Sequence, residues 1–246
     1  MENYSNKITI TGDLGSGKSS VGKLLAPKLN FKLTSVGMIQ REIATRYGLS
    51  TLELNRLSEL NPDIDKEIDA VYESIQRSLD GYIIDARLAW HFVPFSLKIY
   101  LQTDSEIAAK RIFSDETRRN EKYSDISQAL ADLKARKESE NRRFLREYGI
   151  DCSDLDNFDI LIDTSYSPPE VIADLIVYLY KRYEQGLANP KRWISSKHPK
   201  VVKLLQETDF AEEMPSKLSK DGNFYHIFNN ENPIVLPGLI PVEVVH

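Results

Sequence analysis

Apolar residues along this chain follow two alternating spacings. Short, nearly continuous apolar stretches occur at Lys7-Ile8-Thr9-Ile10-Thr11, Phe31 to Thr34, Tyr82-Ile83-Ile84-Asp85, Leu97 to Leu101 and Asp159 to Asp163, and their length and β-branched content predict buried strands. Between them apolar positions recur at helical period, as expected of helices with one buried face. Helices are predicted from Ser20 to Leu29, from Ser35-Val36-Gly37 to near Gly48, from Ile64 to Leu79, from Ser105 to Phe113 and from Ile126 to Tyr148, where Gly149 ends the last. Ser50-Thr51-Leu52-Glu53 is a capping box for a further helix that stops at Asn61-Pro62. Ser167-Pro168-Pro169-Glu170 opens a final helix, with Ser at the cap and Pro at the first helical position, which runs to about Gln185 before Gly186. Strands alternating with helices predict an α/β architecture: a five-stranded parallel sheet with helices on both faces.

The pattern changes after Gly186. The last 60 residues hold six of the eleven prolines and balance seven basic against seven acidic residues. Helical periodicity survives around Lys200 to Gln206, while Phe224 to Phe228 and Ile234 to Val245 read as extended, with turns at Asp221-Gly222 and Pro237-Gly238. Two parts are therefore predicted, a domain over 1–186 and a small Pro-rich α+β module over 187–246. The module has too few apolar residues for its own core, so it is expected to dock on the first part, on a second copy or on another protein. Within the domain, residues 114–125 carry Asp115, Glu116, Arg118, Arg119, Glu121 and Lys122. This stretch reads as a mobile connector.

Composition narrows the setting. A chain of 246 residues with 41% hydrophobic and 28% charged residues is an ordinary globular one. The longest apolar candidate, Ile172 to Tyr180, is interrupted by Asp174, and the N-terminus lacks the features of a signal peptide, so no membrane partner and a cytoplasmic location are expected. The one cysteine, Cys152, can form no internal disulfide, which suits a reducing compartment. A net charge of −5 argues against nucleic acid as a partner, so any anion must bind at a locally basic place.

Such a place follows the first strand. Gly12-Asp13-Leu14-Gly15-Ser16-Gly17-Lys18-Ser19 fits G-x-x-x-x-G-K-[ST], between a strand and a helix, and is a phosphate-binding P-loop. Its glycines let backbone N–H groups turn towards a phosphate. Lys18 would reach the β/γ-phosphates of a nucleoside triphosphate and Ser19 would offer its hydroxyl to Mg²⁺. The helix from Ser20 would aim its positive end at the same anion. Asp13 puts a negative charge inside the loop and is expected to point away. Asp85, at a strand end beside the loop, would orient Mg²⁺, or else serve as a strand-end cap or a partner for Arg87. Arg136, Glu140 and Arg143 stand at i, i+4 and i+7, on one face of the long helix. By spacing alone they fit a solvated salt-bridge ladder as well as a phosphate-facing cluster.

From Lys7 to about Tyr183 the sequence resembles the cytidylate kinase family, in the shorter form first known from archaea. The resemblance rests on the P-loop, on Ser35-Val36-Gly37 with Arg41, on Asn61-Pro62-Asp63-Ile64-Asp65 and on Asp85-Ala86-Arg87-Leu88-Ala89. Arg136 to Arg143, Tyr148-Gly149-Ile150-Asp151 and Asp159 to Ser165 complete the ordered series. It implies a P-loop nucleoside monophosphate kinase fold over 1–186, using ATP as donor and Mg²⁺, with small nucleotides as substrates, CMP or dCMP as acceptor, and the connector at about 114–125 as a lid over ATP, where a solvated loop is the alternative. It also implies that Ser35, Gly37 and Arg41 belong to the acceptor site, and that Arg41, Arg87 and Arg143, joined by Arg136, hold the acceptor phosphate and the transferring group. Glu140 matches an acidic position associated with the cytosine base, where a carboxylate would accept from the exocyclic N4 amine and disfavour uracil. Ala86 stands where the family has Gly, and the bulky Trp90-His91-Phe92 follows the same element.

Two other readings remain at this level. One is a P-loop kinase for another small acceptor, a modified nucleotide or a hydroxylated metabolite. The other is a nucleotide-sensing regulator that acts through residues 187–246, against which the intact Lys18 and the arginines speak.

Overall fold

In a computed structural model of the chain, the structure describes residues 6–49, 54, 57, 62–115, 123–195, 197, 199, 218–220, 223–227 and 239–245. The chain begins with β1 (Lys7–Gly12), buried along its whole length, and α1 (Lys18–Leu29). Then come β2 (Lys32–Ser35), α2 (Val36–Tyr47), α3 (Pro62–Arg77), β3 (Tyr82–Asp85) and a short α4 (Ala89–Phe92). β4 (Leu97–Gln102), α5 (Ser105–Phe113), the long α6 (Ile126–Tyr148), β5 (Ile160–Asp163) and α7 (Pro169–Glu184) complete the first part. The tail supplies β6 (Arg192–Ser195), β7 (Leu218–Lys220), β8 (Asn223–Ile227) and β9 (Leu239–Val245).

Local chemistry sets the helix ends. Ser35 caps α2, its hydroxyl accepting from the Met38 N–H at 3.2 Å, and Gly48 ends that helix in the left-handed region. Asp125 caps α6 by accepting from the Gln128 N–H at 2.9 Å. At α7 the cap is Pro168, one residue after the expected Ser167. The Ser167 hydroxyl is consequently free of capping duty and is buried with no hydrogen-bonding partner among the described residues. The capping box at 50–53, residues 116–122 of the charged connector and the helical pattern at 200–206 lie outside the described residues.

All strands form one sheet, in the order β2-β3-β1-β4-β5-β6-β9-β8-β7. The first five are parallel, as their apolar runs predict, with Ile10 opposite Asp85 and Gly12 opposite Leu101. After β1 the chain builds outward to β2 and back through β3, then crosses to β4 and β5. Strand order therefore reverses at β1, and in open α/β sheets the ligand crevice lies outside the carboxyl ends of strands at such a reversal. The main core packs Ile8, Ile10, Ile99 and Ile162 of the sheet against Val21 and Leu25 of α1 and Ile172, Ile176 and Leu179 of α7.

The appended strands continue this sheet. β6 lies parallel to β5, with Ile162 opposite Trp193, and β9, β8 and β7 follow antiparallel. Trp193 is 2% exposed and belongs to the main core, as does Leu239 of β9. A smaller cluster joins Phe144 of α6 to Tyr100, Phe158 and Cys152. Among the described residues no helix is long and apolar enough to cross a membrane.

Candidate active site

The phosphate loop begins where β1 ends. Gly12 has φ 150°, and a Cβ there would lie 2.2 Å from the Leu101 carbonyl oxygen of β4, so only glycine fits between the strands. Gly17 has φ 86° and turns the chain into α1, leaving Lys18 at the first helical position. The Lys18 ammonium donates to the carbonyls of Gly12 at 2.9 Å and Asp13 at 2.7 Å. Burial, with the charge of Arg87 added, pushes its pKa down to about 8. The Ser19 hydroxyl donates to Asp85 Oδ2 at 2.6 Å, which joins the loop to the end of β3. Ser35 stands opposite Asp85 at the same carboxyl edge.

This loop has the attributes of a phosphate and Mg²⁺ site. The Ser16 hydroxyl is buried with no partner among the described residues, and the loop lines a cavity of about 530 Å³ together with Ser20, Arg111, Arg136, Thr164 and Ser167. The paired Ser19 hydroxyl and Asp85 carboxylate suit a small hard cation that takes most of its oxygen ligands from phosphate and water. No cluster of three or more His, Cys, Asp or Glu among the described residues could hold an ion by itself.

A wall of paired charges stands beside the loop, and of its members Arg136 lines the cavity. Arg87, two residues past β3, donates Nη1 to the Gly12 carbonyl at 2.7 Å, and Nε and Nη2 to Glu140 Oε2 at 2.8 and 2.5 Å. Arg136 donates Nε to the other oxygen, Glu140 Oε1, at 3.0 Å. Burial raises the Glu140 carboxyl, but the two arginines overcome it and hold the pKa below the ordinary carboxylate value. The i, i+4 pair on α6 is thus a salt bridge that is also tied through Arg87 to the phosphate loop. Arg41 and Arg143 lie on α2 and α6, with side chains outside those described, and Gly37 is in the first turn of α2.

The Asp13 side chain does not line the cavity. Its Oδ1 accepts from Tyr100 OH at 3.0 Å and from Lys137 Nζ at 2.7 Å, and its Oδ2 accepts from the Thr103 N–H at 3.1 Å. Ala86 is buried, Trp90 packs 5.5 Å from the Phe158 ring, and His91 is exposed.

Two participants escape sequence reasoning. Arg111 on α5 donates Nη2 to the Thr164 and Ser165 carbonyls at 2.7 and 3.2 Å, and Nη1 to the Gly15 carbonyl at 3.3 Å, knotting the loop to the segment after β5. The small pair Ala108-Ala109 just before it was the available signal, because a helix that approaches a glycine loop closely needs small residues. Lys137 is the other, and nothing in its neighbourhood separates it from solvated lysines.

Comparison with known proteins agrees with this geometry. Residues 7–166 match the cytidylate kinase-like family. The chain is 40% identical over 178 residues to a cytidylate kinase of Sulfolobus acidocaldarius, covering 72% of this chain and 94% of that one. A cytidylate kinase of Sulfurisphaera tokodaii is also 40% identical, over 171 residues, with 69% and 92% covered. An S-adenosylmethionine-dependent nucleotide dehydratase of Lacinutrix mariniflava is 34% identical over 177 residues, 72% of this chain but 36% of that protein. Among solved structures, an uncharacterized protein from Eubacterium ventriosum, 19% identical, shares the fold with a TM-score of 0.55 over 71% of this chain and 98% of that one. With a glycine loop whose lysine meets Arg87 on the Gly12 carbonyl, and with matches running from β1 through β5, the chain belongs to the cytidylate kinase-like family of phosphotransferases.

Proposed function

We propose that the protein transfers the γ-phosphoryl group of ATP to CMP or dCMP. Nucleoside monophosphate kinase-type transfer follows from the family, and the choice of CMP is supported by the two cytidylate kinases at 40% identity over more than nine-tenths of their length. The observation that carries the mechanism is the meeting of Lys18 Nζ and Arg87 Nη1 on one carbonyl, that of Gly12, at 2.9 and 2.7 Å. Two cations aimed at one oxygen of the loop would exchange it for phosphate oxygens of the donor and of the transferring group. Transfer to a phosphate acceptor needs charge compensation and alignment and no strong base.

Lys18 would hold the β/γ-phosphates, and Ser19 and Asp85 would hold Mg²⁺. Bound Mg²⁺ would supply charge neutralisation between the donor phosphates. Arg87 and Arg136, with Arg41 and Arg143, would grip the acceptor phosphate through planar two-pronged contacts. Reading of cytosine by Glu140 would fall to Oε1, which accepts from Arg136, because Oε2 already takes two bonds from Arg87. Residues 1–186 would form the kinase domain in the cytoplasm, with 187–246 as a sheet extension rather than a detachable module. A chain ending at Gly186 would expose the β5 edge and the core around Trp193, so its thermal midpoint is expected to fall well below that of the full chain.

The test is an acceptor panel of CMP, dCMP, UMP, AMP and GMP with ATP and Mg²⁺, read as nucleoside diphosphate formed. CMP and dCMP should be turned over best. If both stay inert while another acceptor is phosphorylated, the acceptor assignment is wrong.

A further inference from the structure

Asp13 belongs to the phosphate loop, but its two halves serve different partners. Its carbonyl accepts from Lys18 Nζ at 2.7 Å, on the phosphate side. Its carboxylate turns to Tyr100, Thr103 and Lys137. Burial, and the carboxylate beside it, push the Tyr100 phenol well above its ordinary pKa, so it remains a donor. Two bonds from β4 and the residue after it therefore fix the carboxylate in place, leaving Oδ1 to receive Lys137 from α6.

Lys137 lies next to Arg136 and three residues before Glu140, so among the described residues the helix that presents the arginine wall is joined to the loop at two points. One is Glu140 through Arg87 to the Gly12 carbonyl. In the reading proposed above, that contact is given up when Arg87 turns to phosphate. The other, Lys137 to Asp13, uses no group that phosphate needs. The Asp13 side chain is 18% exposed and that of Lys137 47%, so the pair is shielded on the acidic side and still able to form and break.

We propose that the Asp13–Lys137 pair is a clasp that keeps α6 seated on the phosphate loop while Arg87 changes partners, and that both are positioning residues for Arg136 and Glu140. The proposal rests on the kinase reading for its catalytic consequence only. Asp13 would thus turn the one acidic position of the loop from a source of repulsion into an anchor for the opposite wall.

The test is a double-mutant cycle of Asp13→Asn, Lys137→Ala and both together, with Lys137→Arg as rescue. Asn keeps an acceptor for Tyr100 or Thr103, and thermal melts establish that each variant is folded. Each single change should lower kcat about tenfold and raise KM for CMP, while the Kd for ATP stays within about twofold, since α6 and not the loop is displaced. The double variant should be no worse than either single one, and Lys137→Arg should recover most of the rate. A double variant that loses the product of the two single effects overturns the clasp, as does an Asp13→Asn protein with wild-type kinetics. Hydrogen exchange of the α6 amides without added nucleotide supplies a readout independent of substrate. Exchange should quicken in both single variants, and unchanged exchange also overturns the clasp. A wild-type protein that phosphorylates no nucleoside monophosphate would sink the kinase reading and leave the exchange measurement to decide the clasp.

Discussion

The phosphate loop draws its groups from consecutive residues, Gly12 to Ser19, whereas the wall opposite assembles Arg87 from the segment after β3 with Arg136, Lys137 and Glu140 from α6. In the loop, backbone geometry does most of the positioning, and the side-chain ties of Asp13 and Ser19 to neighbouring elements add to it. In the wall, positioning is mutual: Arg87 is held by Glu140, Glu140 by two arginines, and α6 by Lys137. The loop should therefore fail at single points, and the wall should fail by degrees and non-additively.

The comparison breaks most visibly at Lys18. Lys18→Ala should cut kcat/KM by on the order of a thousandfold in a coupled assay with ATP, and a loss of only a few-fold would mean that the wall binds the donor as well. Arg87→Ala should cost about a hundredfold, and it should also enlarge the effect of ionic strength on activity, because the half-exposed Glu140–Arg136 pair is left without its tie to the loop. Glu140→Ala should lower kcat/KM about tenfold and narrow the CMP to UMP preference. A lowered rate with that preference intact would make Glu140 an orienting group for the arginines and no reader of the base.

The last effect is in pH. Lys18 titrates at about 8 through burial, and phosphate beside it would draw the proton back on. Below that pH the charged lysine is already present and the Kd for ATP should be flat. Above it, binding must take up a proton, so the Kd should weaken by up to about tenfold per pH unit. Titration calorimetry in two buffers of different ionisation enthalpy would count that proton, and a Kd that is level to pH 9 would show that Lys18 keeps its charge.

What could be read in advance follows the same division. β1 to β5 and the loop were legible because apolar runs and glycine spacing are local signals. β6 was not, because Arg192-Trp193-Ile194-Ser195 is short and becomes a strand only through its pairing with β5. Ser167 and Pro168 compete for one cap, and the difference of one residue decides whether a hydroxyl serves the helix or faces the cavity wall. Asp13 was visible as an oddity within the loop. Its partner Lys137 lies 124 residues further on, and no sequence period connects them.

Cys152 gives this arrangement a built-in reporter. It is the chain's single thiol, 9% exposed, in the cluster that holds Phe144 of α6 together with Tyr100 and Phe158. Burial pushes its pKa up to about 11, so a thiol-reactive dye should label it slowly while α6 is down. A lifting of that helix would uncover the sulfur, and labelling rates measured with and without nucleotide would report on it with no introduced probe site.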